Sequence, residues 1–375
     1  MRILHVSDCY APRTGGIESQ VRDLARQQVA AGHEVHVATA TPAPGREHGV
    51  VQDDDGVQVH RLGTRIPFDL PVNPAAPPRI RALLRTLSPD VVHVHAGVVS
   101  PFAYDGARVA LGEAVPLAIT WHCMLDGVIP TLRAAVRASR WRSAPVALSA
   151  VSQAAADRVA AVFHAPVAVL PNGLDLDVWS PEQSSAGPPP SGALRCVATM
   201  RLAPRKRGPA LIGIVEDAMT QLEPGELTLD LIGDGPARGR ITHRIARRGL
   251  GDVITVRGRL DKDQIRAVYA HSDVFVAPAV LEAFGIAALE ARAAGLAVVA
   301  RRGTGIEEFV TDEVDGLLVD DDPGMARALV RLATDPGLVA ALTSHARAHR
   351  PAHGWRTTLE AAEAEYRRAG SVHRV

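Results

Sequence analysis

Two glutamates, Glu282 and Glu290, stand eight positions apart on either side of a Phe284-Gly285-Ile286 turn, just after the strand-like run Val274-Phe-Val-Ala-Pro278. Gly285 separates a loop carrying Glu282 from a helix expected to start near Ile286 and to stop at Gly295, the usual glycine just past a C-terminus. The first amides of such a helix have no intrahelical partner and carry partial positive charge, so this end can receive an anion such as a diphosphate. Acceptor carboxylates on both sides of an anion site suit a ligand with hydroxyls at both ends.

Upstream, Met200-Arg-Leu-Ala-Pro-Arg-Lys-Arg-Gly208 follows a strand and precedes a helical run. Arg201 can fork onto phosphate oxygens and Lys206 adds a mobile point charge, a pair able to neutralise a leaving diphosphate without metal. Arg205 and Arg207 read as solvated neighbours. Near the start of the chain Gly15 and Gly16 close a loop just before a helix, where missing side chains let backbone approach a phosphate. His122 ends the strand in Ile119-Thr-Trp-His-Cys-Met124, where it can meet a sugar or an acceptor. His93 and His95 flank Val94, so strand alternation sends both to one face. With His122 they make a candidate zinc set.

The elements that must hold these groups alternate from end to end, short apolar strands with amphipathic helical stretches, as in βαβ units around parallel sheets. Strands are expected at Ile3–Val6, Val35–Ala38, Val91–Val94, Leu117–Trp121, Ala147–Val151 and Val167–Leu170, with a helix over Glu18–Ala31. The Ser/Gly/Pro-rich stretch Pro181–Gly192 can continue neither element and reads as a linker. Strands resume at Arg195–Ala198, Leu227–Ile232, Val253–Arg257, Val274–Ala277 and Ala297–Ala300, and Trp355–Gly370 reads as a charged amphipathic helix. Two doubly wound sheets in tandem would put a ligand at strand ends facing a shared crevice.

Composition narrows the classes. At 375 residues the chain suits two α/β domains, and 41 basic against 41 acidic residues leave no global field for nucleic acid. Cys9, Cys123 and Cys196 are odd in number and scattered, which argues for a reducing compartment. No apolar run reaches about 18 residues and the opening is a strand, not a leader, so a cytoplasmic location is expected. The segment Pro130–Pro145 carries Arg133, Arg137, Arg140 and Arg142. It reads first as a solvated helix face and leaves peripheral contact with anionic lipid open.

The Glu282–Glu290 pattern resembles the E-x7-E motif of retaining glycosyltransferases of family 4, which have the GT-B fold and use nucleotide-diphosphate sugars. Arg201 and Lys206 resemble that family's R-x4-K pair, and Gly15-Gly16 its N-terminal glycine loop. His122 resembles its strand-end histidine, and Asp90-Val-Val-His-Val-His95 a strand common in it. Leu170-Pro-Asn-Gly-Leu-Asp175 and Leu231-Ile-Gly-Asp-Gly-Pro236 match two further signatures. The resemblance implies an α/β GT-B fold of two Rossmann-like domains facing a cleft: residues 1–180 with a C-terminal helix at 355–375 packing back on them for the acceptor, a linker at 181–193, and residues 194–354 for the donor. It implies Glu282 and His122 at the transferred sugar, and Gly15, Gly16, Arg201, Lys206, Gly233, Phe284, Gly285, Ile286 and Glu290 around the donor, with Glu290 on the ribose. No metal or cofactor is implied; the zinc set is disfavoured because that strand shapes the crevice in the family.

The expected reaction is metal-independent, same-face transfer of a hexosyl unit, mannosyl first, from a GDP- or UDP-linked sugar to a hydroxyl of a glycan, lipid or small metabolite. A nucleotide-sugar hydrolysing epimerase and a silent sugar-nucleotide binding protein are the alternatives. A nicotinamide dehydrogenase fails because neither Gly15-Gly16 nor Gly233-Asp-Gly-Pro-Ala-Arg-Gly239 has the G-x-G-x-x-G spacing. One departure concerns Arg302-Gly-Thr-Gly-Ile-Glu-Glu308, where the family has Gly-Gly-x-x-Glu. Thr304 disturbs the register, so no role is carried onto Glu307 or Glu308.

Overall fold

The structure, a computed structural model, describes residues 1–13, 15–43, 45, 49–63, 75–180 and 192–374. Residues 181–191 of the expected linker lie outside the described residues. The chain divides into two compact units, Met1–Gly173 with His353–Val375, and Leu174–Ala352. The first therefore ends before the expected residue 180. The short helix Leu176–Trp179 belongs to the second unit because the buried Trp179 ring lies 5.8 Å from that of Tyr269.

Among the described residues the first unit is one sheet of eight strands: β1 Arg2–Ser7, β2 Glu34–Thr39, β3 Val51–Asp54, β4 Val57–Arg61, β5 Val91–Ala96, β6 Leu117–Trp121, β7 Val146–Ala150 and β8 Ala168–Val169. Their order is β3-β4-β2-β1-β5-β6-β7-β8, with only β3 antiparallel to its neighbour. The β3–β4 hairpin was not expected from the sequence. Its turn is Asp55-Gly56 with φ of 55° and 86°, both left-handed as a two-residue hairpin turn demands. Asp54 anchors this edge by accepting hydrogen bonds from Tyr10, Arg22 and Arg26.

Alternation along the strands sorts one sheet face by depth. Ile3, Val91, Ala118 and Ala147 pack with Ala362, Tyr366 and Ala369 of the C-terminal helix, α13 (Trp355–His373). Two residues further along each strand, on the same face, stand His5, His93, Thr120 and Ser149. So α13 covers an apolar row at the strand starts and a polar row toward the strand ends. Gly173 permits this packing, since a Cβ there would come within 2.4 Å of the Trp355 ring.

The second unit is a six-stranded, wholly parallel sheet: β9 Leu194–Thr199, β10 Leu227–Ile232, β11 Ile254–Gly258, β12 Val274–Ala277, β13 Ala297–Arg301 and β14 Gly316–Val319. Its order is β11-β10-β9-β12-β13-β14, and β14 was not anticipated. The core runs through Leu211, Ile214 and Val215 of helix α7 (Gly208–Met219), Leu229 and Leu231 of β10, and Met325 and Leu329 of α11 (Asp322–Thr334). The strand order reverses between β9 and β12, the switch point at which open α/β sheets bind ligands outside their carboxyl ends. No described helix is long and apolar enough to cross a membrane.

Candidate active site

The loops leaving β9 and β12 carry Arg201, Lys206, Glu282, Phe284 and Gly285, and the helix behind the second carries Ile286 and Glu290. After β9 the backbone crosses the end of β10: Leu202 donates to the Asp234 carbonyl at 2.9 Å and Ala237 donates back to Leu202 at 2.8 Å. Gly233 makes this crossing possible. Its φ is 132°, and a Cβ would lie 1.9 Å from the Met200 carbonyl oxygen. Arg201 stands exposed in this loop, with no ion pair among the described residues. Lys206 ends a 3-10 turn over Pro204–Lys206, and its ammonium is ion-paired with the Glu282 carboxylate in the loop after β12.

Arg207 corrects the sequence reading. It is no solvated neighbour: its guanidinium forks onto Asp322 at 2.7 and 2.8 Å and donates to the Pro278 carbonyl at 3.1 Å. With φ of 58° at Arg207, the chain turns into α7 while the side chain ties the β9 loop to the β12 loop. Charge-assisted, bidentate bonds of this kind fix geometry.

Helix α10 (Ile286–Ala293) begins where the Gly285 pattern put it and ends at Ala294 with Gly295 at φ 84°. Leu296 N–H donates to the Ala291 carbonyl at 3.1 Å, closing the C-terminus in a Schellman motif. At the other end Gly285, φ 93°, supplies no side-chain cap, and the first turn holds no acid. The Phe284 ring, expected near the donor, is instead buried 5.5 Å from the Phe309 ring, so only its backbone can face a ligand. Glu290 is half-buried, near the fully buried Tyr269. Burial first, and then the Glu290 charge, push that phenol well above its ordinary range. The Tyr269 hydroxyl donates to Thr199 Oγ1 at the end of β9, at 2.9 Å.

Sequence reading missed the support beneath Glu282. Gly305 donates to the Glu282 carbonyl at 2.9 Å, and a Cβ on Gly305 would meet the Ala283 oxygen at 2.1 Å. Ile306 lies against Gly285, whose Cβ position is 2.6 Å from Ile306 Cγ1. Thr304 is buried and donates to the Arg301 carbonyl at 2.8 Å, and Glu307 accepts from Gly303 at 2.6 Å. Thr304 therefore holds the bend, and Gly305 is the glycine that approaches the site loop. A cavity of about 340 Å³ in this unit opens elsewhere, beside β14. Its Arg302–Asp312 and Arg331–Glu313 charges already pair with one another, so they present no convergent set to a ligand.

In the first unit, both helices nearest β1 start on an internal acid. A Cβ on Gly15 would lie 2.3 Å from the Glu18 carboxylate, which is itself 3.8 Å from Arg13. Gly16 is exposed as the first residue of α1 (Gly16–Ala30), and this end already carries the anion a phosphate would replace. Asp8 accepts from the amides of Phe102 and Ala103 at 3.1 and 3.2 Å, at the start of α3 (Pro101–Gly112). Burial pushes the Asp8 carboxyl up to about 6, against those bonds.

His122 follows β6 and contacts His95: His122 Nε2 lies 3.0 Å from His95 Nδ1. A cavity of about 10 Å³, room for a single water, adjoins it, lined among others by Gln20, His95, Thr120 and Asn172. The zinc set considered from the sequence does not converge as expected. Among the described residues the ring nitrogens that meet, within 4.8 Å, belong to His5, His93 and His95. All six of those nitrogens already have a hydrogen-bond partner. Burial pulls His5 and His122 down to about 4 and His93 and His95 well below the usual imidazole range, so the cluster is neutral at pH 7.

Both halves of the chain are similar to known proteins. The model of Glycosyltransferase Family 4 matches residues 14–178 and that of Glycosyl transferases group 1 matches residues 194–335. A D-inositol 3-phosphate glycosyltransferase of Kribbella flavida is 29% identical over 98% of this chain and 94% of its own. A GDP-mannose-dependent alpha-(1-6)-phosphatidylinositol dimannoside mannosyltransferase of Mycobacterium tuberculosis is 26% identical over 90% and 88%. The crystal structure of Anabaena HepE in complex with UDP and glucose superposes with a TM-score of 0.74 at 20% identity, covering 97% of this chain and 98% of that one, and shares the GT-B fold. With both sheets wound as that fold requires and both family models matched in order, the chain belongs among the family 4 glycosyltransferases.

Proposed function

We infer that the protein transfers a hexosyl unit from a nucleotide-diphosphate sugar to an acceptor hydroxyl, with retention and without a metal. The observation that carries this reading is the set of groups at the β9–β12 edge. The uncapped N-terminus of α10 adjoins Glu282, which pairs with Lys206, while Arg201 stands exposed in the loop leaving β9 and Glu290 lies on the helix itself. Unpaired amides and two cations offer what a diphosphate leaving group needs as its charge develops, and fixed electrostatics of this kind dominate many barrier reductions.

In the step itself the bond from the anomeric carbon to the diphosphate oxygen breaks, its electron pair leaving with the diphosphate. The acceptor oxygen bonds to that carbon from the same face and passes its proton to the departing phosphate oxygen. Glu282 orients the sugar and Glu290 holds the ribose hydroxyls, while His122 in the first unit serves a ligand hydroxyl. Cations and amides carry the charge, so the reaction proceeds with no bound metal. GDP-mannose and UDP-glucose are the first donors to try, in line with the GDP-mannose dependence of the mycobacterial relative and with the UDP and glucose bound to HepE. Inositol phosphates and phosphatidylinositol mannosides are the first acceptors, in line with two relatives.

The test is product analysis with a donor panel, with and without acceptor, in chelator. Acceptor-dependent glycoside with the donor's anomeric configuration supports the reading. Free sugar formed equally without acceptor points to a hydrolysing epimerase, and loss of turnover on chelation removes the metal-free mechanism.

A further inference from the structure

The buried polar row beneath α13 forms one continuous chain of hydrogen bonds, and its direction can be deduced. Ser149 Oγ donates to the Ile119 carbonyl at 3.3 Å, an oxygen that can only accept. With Ser149 donating there, Thr120 Oγ1, 2.8 Å from Ser149 Oγ, gives its own proton to Ser149 and accepts from His93 Nε2 at 2.7 Å, the same direction that the Gln28 amide sets at the other end. A neutral imidazole has one N–H, so His93 Nδ1 accepts, and the Tyr366 hydroxyl donates to it at 2.9 Å. That hydroxyl has no second proton. It accepts from Gln28 Nε2 at 2.8 Å, which turns Gln28 Oε1 toward His5 Nε2, 2.7 Å away.

The same logic runs on through the remaining rings. His5 donates through Nε2, so its Nδ1 accepts from His95 Nε2 at 2.9 Å. His95 Nδ1 then accepts from His122 Nε2 at 3.0 Å. His122 Nδ1 is the one end of the chain left over, with no partner among the described residues. Burial keeps all four histidines uncharged, the condition each step needs.

We propose that Gln28 is a positioning residue for His122: by fixing the direction of this chain it holds the His122 proton on Nε2 and leaves Nδ1 as a bare acceptor at the end of β6. His122 therefore receives a hydrogen bond from a ligand hydroxyl and cannot donate one. This use of His122 rests on the reaction inferred above; the tautomer itself does not. A buried amide with two distinct ends suits the task, because its oxygen can only accept and its nitrogen can only donate.

The experiment is a long-range 15N–1H correlation spectrum of the full chain labelled at histidine nitrogens, with His122→Asn to assign the signal. The wild type should show His122 protonated on Nε2 and bare on Nδ1. In Gln28→Met the His5 Nε2–H would face an apolar group, and an orphaned donor is tolerated less well than a bare lone pair. The three rings should then reverse, and His122 should gain Nδ1–H in at least half of the molecules. A His122 protonated on Nδ1 in the wild type overturns the proposal, whether or not Gln28→Met folds. So does a His122 signal unchanged in folded Gln28→Met. Neither readout uses a donor or an acceptor, so a failed transfer assay and a failed tautomer assignment are separate results.

Discussion

Lys206 and Glu282, 76 residues apart in the chain, form an ion pair where the loops leaving β9 and β12 meet. Each side chain is partly exposed, so the pair adds little to stability, and its value lies in placing a cation and a carboxylate side by side. Groups that act as a unit give non-additive losses. Lys206→Ala and Glu282→Gln should each lower kcat on the order of 10²-fold, and the double variant should lose no more than about tenfold beyond the worse single one. Fully multiplicative losses would separate the two residues functionally.

Gly305 supports the Glu282 loop only while it lacks a side chain. Gly305→Ala forces its Cβ into the Ala283 carbonyl, so transfer should fall by about tenfold or more through displacement of Glu282. Gly239→Ala is the control. It lies in the helix Arg238–Arg247 with open space at its Cβ, and should raise stability by about 0.5–1 kcal/mol without touching activity. Thermal melts and initial rates on the two variants check both halves.

Arg207→Ala unfastens the same two loops by removing the bond to the Pro278 carbonyl, and with it the fork onto Asp322 at the start of α11. Both partners are about a third exposed, so the stability loss should be modest, about 1 kcal/mol. The effect on donor affinity should be larger than that, because the loop carrying Lys206 loses its fixed position. Calorimetric titration beside a urea melt compares the two. An affinity loss no greater than the stability loss would reduce Arg207 to a fold contact.

Asp8 gives a pH dependence of definite sign. Burial lifts its carboxyl from 3.8 to about 6, so between those values the folded state binds the proton that the unfolded chain has released. Its contribution to stability is therefore present below about pH 4 and lost as pH rises through 6, on the order of 3 kcal/mol in all. Against Asp8→Asn, the wild type should lose relative stability across that window in paired denaturant titrations. A constant difference from pH 4 to 7 would show that the carboxyl titrates normally.

Much of this was legible in the residues because it depends on local chemistry. Gly285 and Gly295 bracket α10 through left-handed backbone, and Leu227–Ile232 and Val274–Ala277 are apolar runs long enough to read as strands. The Asp55-Gly56 hairpin was equally local, yet its flanking strands are only four and five residues long and carry polar faces that mask the alternation. What stayed hidden is long-range. Arg207 finds Asp322 at a separation of 115 residues, and Gln28 finds Tyr366 at 338. Gly305 reads as a loop glycine until the β12 loop lies against it.

The central claim is that the β9–β12 edge of the second unit holds a nucleotide-diphosphate sugar through Glu290, Lys206 and the start of α10. The most direct measurement is calorimetric titration of the wild type and Glu290→Ala with GDP-mannose and UDP-glucose. One of these donors should bind the wild type, and Glu290→Ala should weaken it by about tenfold or more, the loss expected when a charge-assisted hydrogen bond to a ribose hydroxyl is removed. Equal affinity in the two proteins, or binding of neither donor to the wild type, would contradict it.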